Sequence, residues 1–143
     1  MRVVADANTL LSGLFFRGNE RRLLALAVQG RVTLVLPEDV VDEVYEVIGR
    51  KFGEDPELAD ATTRLESVLA SSEFVPAEDY APLVEPWARR LRDPPDAPVL
   101  ACAEAVKPEG VVTGDRDILE AIDTRGIPVY RTRQVLARLQ GRV

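Results

Sequence analysis

The chain has 143 residues, 46% of them hydrophobic and 29% charged, with 18 basic against 24 acidic side chains and a net charge of −6. That length and balance predict one globular domain over 1–143 with a genuine core, and no run reaches the roughly 18 apolar residues of a membrane span. Histidine is absent and Cys102 is the only cysteine. Together these exclude Ser-His-Asp and Cys-His catalysis, histidine general bases, an intrachain disulfide and zinc sites built on histidine or several cysteines.

Secretory features are missing from "MRVVADANTL", which has no apolar core followed by a small-residue cleavage site, so a cytoplasmic location is expected. Net acidity runs against the basic balance usual for nucleic-acid binders. Buried acids that bind cations would inflate the negative count. Lys51 and Lys107 are the only lysines, so the positive charge is almost all arginine.

In chain order, "RVVA" (2–5) is a continuous apolar run too short for a helix and predicts a first strand. Helices are expected over 8–16 and 20–29, the second stopped by Gly30. The β-branched "VTLVL" (32–36) predicts strand two, followed by helices from Glu38 to about Arg50 and from Pro56 to about Ala70. "EFV" (73–75) reads as a short third strand. Helical patterns cover Pro82–Arg92 and Ala97–Ala105, and "GVVT" (110–113) reads as strand four. A helix over Ile118–Asp123, "IPVY" (127–130) as strand five and a helix over Thr132–Leu139 complete the chain. Alternating strands and helices predict βαβ crossovers. The expected architecture is a three-layer α/β/α domain around a mostly parallel five-stranded sheet.

In such sheets ligands bind beyond the carboxyl ends of the strands, and acids recur there. Asp6 follows strand one, Asp115 follows strand four, and Glu43 sits on the helix after strand two. Each has an ordinary structural reading beside the functional one. Asp6 or Asn8 serves as an N-cap, and Asp117, with Glu120 three positions on, fits a capping box unless the helix begins earlier and Asp115 caps it. Asp96 falls in line with Val99, Leu100 and Ala103, the apolar stripe of its helix, but also suits an N-cap. Val40, Val41, Val44, Tyr45 and Ile48 predict the buried face of the third helix, with Asp42 and Glu43 on its two borders; spacing does not choose between them. Taken jointly, acids at equivalent junctions imply a shared pocket. Two ionised carboxylates about 4 Å apart repel by roughly 4 kcal/mol at an effective dielectric of 20. A hard divalent cation, Mg²⁺ or Mn²⁺, relieves that cost with oxygen ligands.

"VVADANTLLSGL", "EDVVDEVYEVIGR", "DPPDAPVLACA" and "VVTGDRDIL", in this order and spacing, resemble the PIN-domain ribonuclease family, most closely the VapC-like toxins of toxin–antitoxin pairs. The likeness runs from Arg2 to about Leu139. It implies a PIN-like fold with catalytic acids Asp6, Glu43, Asp96 and Asp115, Mg²⁺ or Mn²⁺ held by Asp6, Asp96, Asp115 and Asp117, and ligands oriented by Asn8 and Thr113. Pro37 stands where relatives often have serine or threonine, and Pro95 where they often have aspartate; neither change removes an implied ligand.

The activity implied is metal-dependent endonucleolytic hydrolysis of single-stranded RNA, with Arg17, Arg21 and Arg116 on the RNA backbone. The implied partners are RNA, an antitoxin protein and a second copy of the chain; no membrane is expected. A PIN-like binding or assembly module and a Mg²⁺-dependent phosphatase are the alternatives. Asn8 weakens the phosphatase reading, because haloacid dehalogenase-type enzymes need a second acid at that position.

Overall fold

The computed structural model describes residues 1–91, 94–120 and 123–141, the side chains of Pro94 and Asp117 excepted. Five parallel strands form one sheet: β1 (Arg2–Ala5), β2 (Thr33–Pro37), β3 (Glu73–Val75), β4 (Gly110–Val112) and β5 (Val129–Tyr130), in the order β3-β2-β1-β4-β5. Val3, Val4, Ala5, Leu34, Val35, Leu36, Val111 and Val112 are all essentially inaccessible. Their continuous apolar runs follow from burial on both faces, the signature of a parallel sheet covered by helices.

The helices are α1 (Ala7–Phe15), α2 (Asn19–Val28), α3 (Glu38–Lys51), α4 (Leu58–Ser71), α5 (Ala81–Ala88), α6 (Ala97–Val106), α7 (Arg116–Leu119) and α8 (Thr132–Leu139). They pack as two groups. One contains α1, α2, α4 and α8; the other joins α5 to α6, which lies on β1 and β4, and α3 touches both α1 and α6. Among the described residues no helix is long and apolar enough to cross a membrane.

Three expected elements differ in extent. The helix expected over 82–92 ends at Ala88, two residues after the internal Pro86, with a tight final turn in which the Arg90 N–H reaches the Trp87 carbonyl at 3.0 Å; Arg92 lies outside the described residues. The helix expected over 118–123 begins earlier and is shorter, because Asp115 occupies its capping position; residues 121 and 122 lie outside the described residues. Strand five pairs only at Val129 and Tyr130. Pro128 has no N–H to give a ladder, although its carbonyl still accepts from the Val111 N–H at 2.9 Å. The third helix also departs from its periodicity: Val40 and Val44 are buried, but Tyr45 is 51% exposed.

Close helix packing places one strict demand on the sequence. A Cβ at Gly13 of α1 would lie 2.6 Å from a Leu24 methyl carbon and 2.9 Å from the Glu20 carbonyl oxygen of α2. The methyl can swing away, but the backbone oxygen cannot without moving α2. Gly13→Ala should therefore destabilise the fold by about 1–3 kcal/mol, despite the better helix propensity of alanine. A lower urea midpoint at unchanged slope is the expected readout; a midpoint at or above wild type would contradict the packing argument.

Cys102 is fully buried in α6, and burial pushes its thiol up to about 12. The native state thus keeps a proton that the unfolded chain loses from the ordinary value of 9.0 upward. This contribution to stability is complete below that value and is lost as pH rises toward the folded value. Native protein should resist a thiol-specific disulfide reagent at pH 8 yet react fully in guanidinium chloride, and its melting temperature should fall as pH climbs above 9.

Candidate active site

The register of β1 and β4 builds the centre of the site. Ala5 pairs with Val112, so the next residues, Asp6 and Thr113, leave the sheet side by side at its carboxyl edge. The strand order reverses direction here, with β2 on one side of β1 and β4 on the other, which is where open parallel sheets leave a crevice.

Asp6 is 7% exposed and does two things at once. It caps α1: its Oδ1 accepts from the Thr9 N–H at 2.8 Å. Its Oδ2 accepts from the hydroxyl of Thr113, which is itself fully buried. The Thr113 oxygen accepts in turn from the Asp115 N–H at 2.9 Å, and Asp115 Oδ1 accepts from the Ile118 N–H at 3.3 Å. An amide only donates and a hydroxyl has one proton, so the direction of this chain is set. Thr113 must spend its proton on Asp6, which holds that carboxylate as an acceptor. Each Asp6 oxygen keeps a further lone pair.

A cleft of about 490 Å³ opens beside Asp6 and is lined also by Asn8, Asp39, Asp42, Glu43 and Asp96. Every charged residue in its described lining is an acid. Asp39, Asp42 and Glu43 stand at i, i+3 and i+4 of α3, one helix face, which is why both residues left open by spacing arrive together and bring Asp39 with them. That same arithmetic, extended one turn back, finds Asp39 in the sequence. Tyr80 anchors it: the phenol donates to Asp39 Oδ1 at 2.9 Å and accepts from the Asp39 N–H at 3.1 Å. Glu38 turns elsewhere, accepting from the Ala77 N–H at 2.9 Å. Asp96 occupies the N-cap position of α6 without its side chain capping the first turn, and its Oδ2 is shielded from solvent.

Asp115 lies in a second, adjoining pocket of about 600 Å³, with Thr113, Ser12, Arg131 and Arg133 in its lining; Asn8 borders both spaces. Asp6, Glu43 and Asp96 line the first space and Asp115 the adjoining one, and the Thr113 hydroxyl, bonded to both Asp6 and the Asp115 N–H, joins the two. The Asp117 side chain lies outside the described residues. It precedes no helix, because Arg116 already opens α7 and Asp115 provides the cap. Arg21 donates to the carbonyls of Gly13 and Leu14 at 3.1 and 3.2 Å, closing the end of α1. Arg17 and Arg116 are exposed. Arg131 and Arg133 carry no local motif and were not expected; only the position of β5 brings them to this edge.

The chemistry of the first cleft suits a hard divalent ion, since its polar lining is carboxylate and amide oxygen. Among the described residues no three carboxylates converge closely enough to form a ready-made cage. The donor set fits such an ion; the closeness of the donors is not that of a preformed site.

The PIN-domain family model matches residues 2–117. The protein PAE2754 from Pyrobaculum aerophilum has a similar crystal structure, at a TM-score of 0.73 and 19% identity, covering 99% of this chain and 90% of that one. VapBC2 from Rickettsia felis, bound to a DNA fragment from its promoter, is similar at a TM-score of 0.63 and 12% identity, covering 92% of this chain and 98% of that one. No curated protein sequence matches. The chain belongs to the PIN-domain family, whose members are generally nucleases and usually use divalent metal ions.

Proposed function

We propose that the chain is a divalent-metal-dependent endoribonuclease that hydrolyses phosphodiester bonds of single-stranded RNA, the toxin of a toxin–antitoxin pair. The observation that carries this reading is the acidic cleft at the switch point of a PIN-family sheet, where Asp6, Glu43 and Asp96 from three separate elements share one space. Likeness to the VapBC2 fold supports an antitoxin partner.

Asp6, Asp96 and Glu43 would hold Mg²⁺ or Mn²⁺, with Asp42 and Asp39 on the same helix face as Glu43 and with Asp115 in the adjoining pocket; Asp117 joins this set on the family resemblance alone. A bound ion supplies Lewis acidity, lowering the pKa of a water and neutralising charge that develops on phosphate oxygens. Thr113 orients Asp6, Tyr80 orients Asp39, and Asn8 presents its amide between the two pockets. Hydrolysis at phosphorus needs no enzyme nucleophile, in keeping with a chain that has no histidine and a buried Cys102. Exposed Val28 on α2 and Tyr45 on α3 support pairing of two copies, which light scattering of the purified chain tests.

The decisive experiment adds Mn²⁺ to end-labelled single-stranded RNA, with Asp6→Asn as control. Cleavage by wild type and none by the variant is expected. RNA left intact by wild type at every Mn²⁺ concentration sinks the proposal, and intact RNA with tight protein-partner binding makes the chain a PIN-like binding module instead.

A further inference from the structure

We infer that the second pocket is a phosphate subsite for the nucleic-acid strand, which Arg131 and Arg133 add to the acidic cleft. The inference rests on the nuclease reading only for the identity of the strand. The acidic cleft by itself repels a polyanion, because the charged residues of its described lining are all acids and the whole chain carries −6. A strand that lies across such a cleft needs fixed positive charge on at least one side of it. The second pocket supplies that charge, and it is continuous with the first through Asn8 and the Asp6–Thr113–Asp115 chain of hydrogen bonds.

The two arginines are placed by the fold. Tyr130 of β5 pairs with Val112 of β4, so Arg131 leaves the sheet at the edge that carries Asp6 and Thr113. Its N–H donates to Gln134 Oε1 at 2.7 Å, which starts α8, and the buried Thr132, Val135 and Leu136 seat that helix. Arg131 and Arg133 flank Thr132, and both are exposed. Neither guanidinium pairs with a carboxylate among the described residues. Glu20, which accepts from the Ser12 hydroxyl at 3.2 Å, and Asp115, which caps α7, balance the two arginines in formal charge, so the pocket is neutral where the first cleft is wholly acidic. Two uncommitted planar forks of donors in a polar cavity suit the oxygens of a phosphodiester. Both residues lie beyond the stretch that the family model matches, residues 2–117.

The test measures binding, by fluorescence anisotropy of a labelled ten-nucleotide single-stranded RNA, in EDTA and over a series of salt concentrations. The full chain is compared with Arg131→Ala/Arg133→Ala and Arg131→Lys/Arg133→Lys. The alanine pair should weaken binding about tenfold and flatten the log–log salt dependence by about one, while the lysine pair retains most of the slope. Unchanged melting temperatures separate these effects from misfolding. An alanine pair that binds with wild-type affinity and slope overturns the subsite, as does weaker binding at an unchanged slope. A glutamate-rich peptide of equal charge that displaces the RNA as well as unlabelled RNA does also overturns it, in favour of a protein partner. Arginine-dependent binding without Mn²⁺-dependent cleavage leaves the subsite standing and removes the nuclease reading; cleavage with arginine-independent binding does the reverse.

Discussion

Asp6→Asn is expected to leave a folded protein whose RNA hydrolysis has fallen by about a thousandfold, the equivalent of several kcal/mol of lost transition-state stabilisation. The substitution removes the charge and replaces the oxygen that accepts from the Thr113 hydroxyl with an NH2 group, which donates to that hydroxyl instead. An asparagine carbonyl still accepts from the Thr9 N–H, so α1 keeps its cap. Relief of repulsion among Asp6, Asp39, Asp42, Glu43 and Asp96 should hold or raise the metal-free melting temperature. Metal linkage gives a second readout that needs no substrate. Wild type at a hundredfold excess of Mn²⁺ over its dissociation constant gains about 2.7 kcal/mol, or roughly 10 °C for a chain of this size. Asp6→Asn should lose most of that gain. Equal stabilisation of both proteins by Mn²⁺ would remove Asp6 from the metal site. Asp6→Ala is the less informative variant, because it deletes the α1 cap as well.

Thr113→Val is the second large effect. Valine fills the same volume in a fully buried position but has no hydroxyl. Asp6 Oδ2 then loses its donor and the Asp115 N–H its acceptor, so the strand-end carboxylate is no longer held. Losing a buried hydrogen-bond relay of this kind should cost about 1–3 kcal/mol of stability. Misplacement of a ligand by its supporting partner should lower activity a further tenfold to hundredfold, roughly. Thr113→Ser separates the two causes. It keeps the hydroxyl and loses one methyl, about 1 kcal/mol of burial, so its activity should stay within a few-fold of wild type. Equal activity losses in the valine and serine variants would show that packing, not the relay, governs this position.

Much of this architecture is legible along the chain. "RVVA", "VTLVL" and "GVVT" announce strands buried on both faces, because a largely apolar stretch without polar alternation has no solvent side. Asp6 is legible for the same reason: it is the first charged residue after such a strand, and a carboxylate leaving the core is either a cap or a ligand. The structure gives it a cap and a place in the cleft together, since one carboxylate has lone pairs enough for both.

Periodicity fails where more than one helix face is covered. Nearly every residue of α6 from Ala97 to Ala103 is buried, so its apolar stripe does not single out the direction of Asp96, and Tyr45 of α3, expected inside, stands half exposed. Local signals also mislead about helix starts. Glu120 three residues after Asp117 resembles a capping box, yet the buried Thr113 hydroxyl draws the Asp115 N–H into a turn that starts α7 earlier.

The strands, most of the helices, the oxygen-only chemistry and the acids at the ends of strands are thus written in the chain, because each depends on residues within a few turns of one another. The grouping arises from the folded arrangement. Strand order and register place Thr113 against Asp6, gather the acids at one edge of the sheet, turn one face of α3 toward Asp6 and bring Arg131 and Arg133 beside Asp115. Pairing across a sheet joins residues more than a hundred positions apart, and no local propensity encodes which strand will lie beside which.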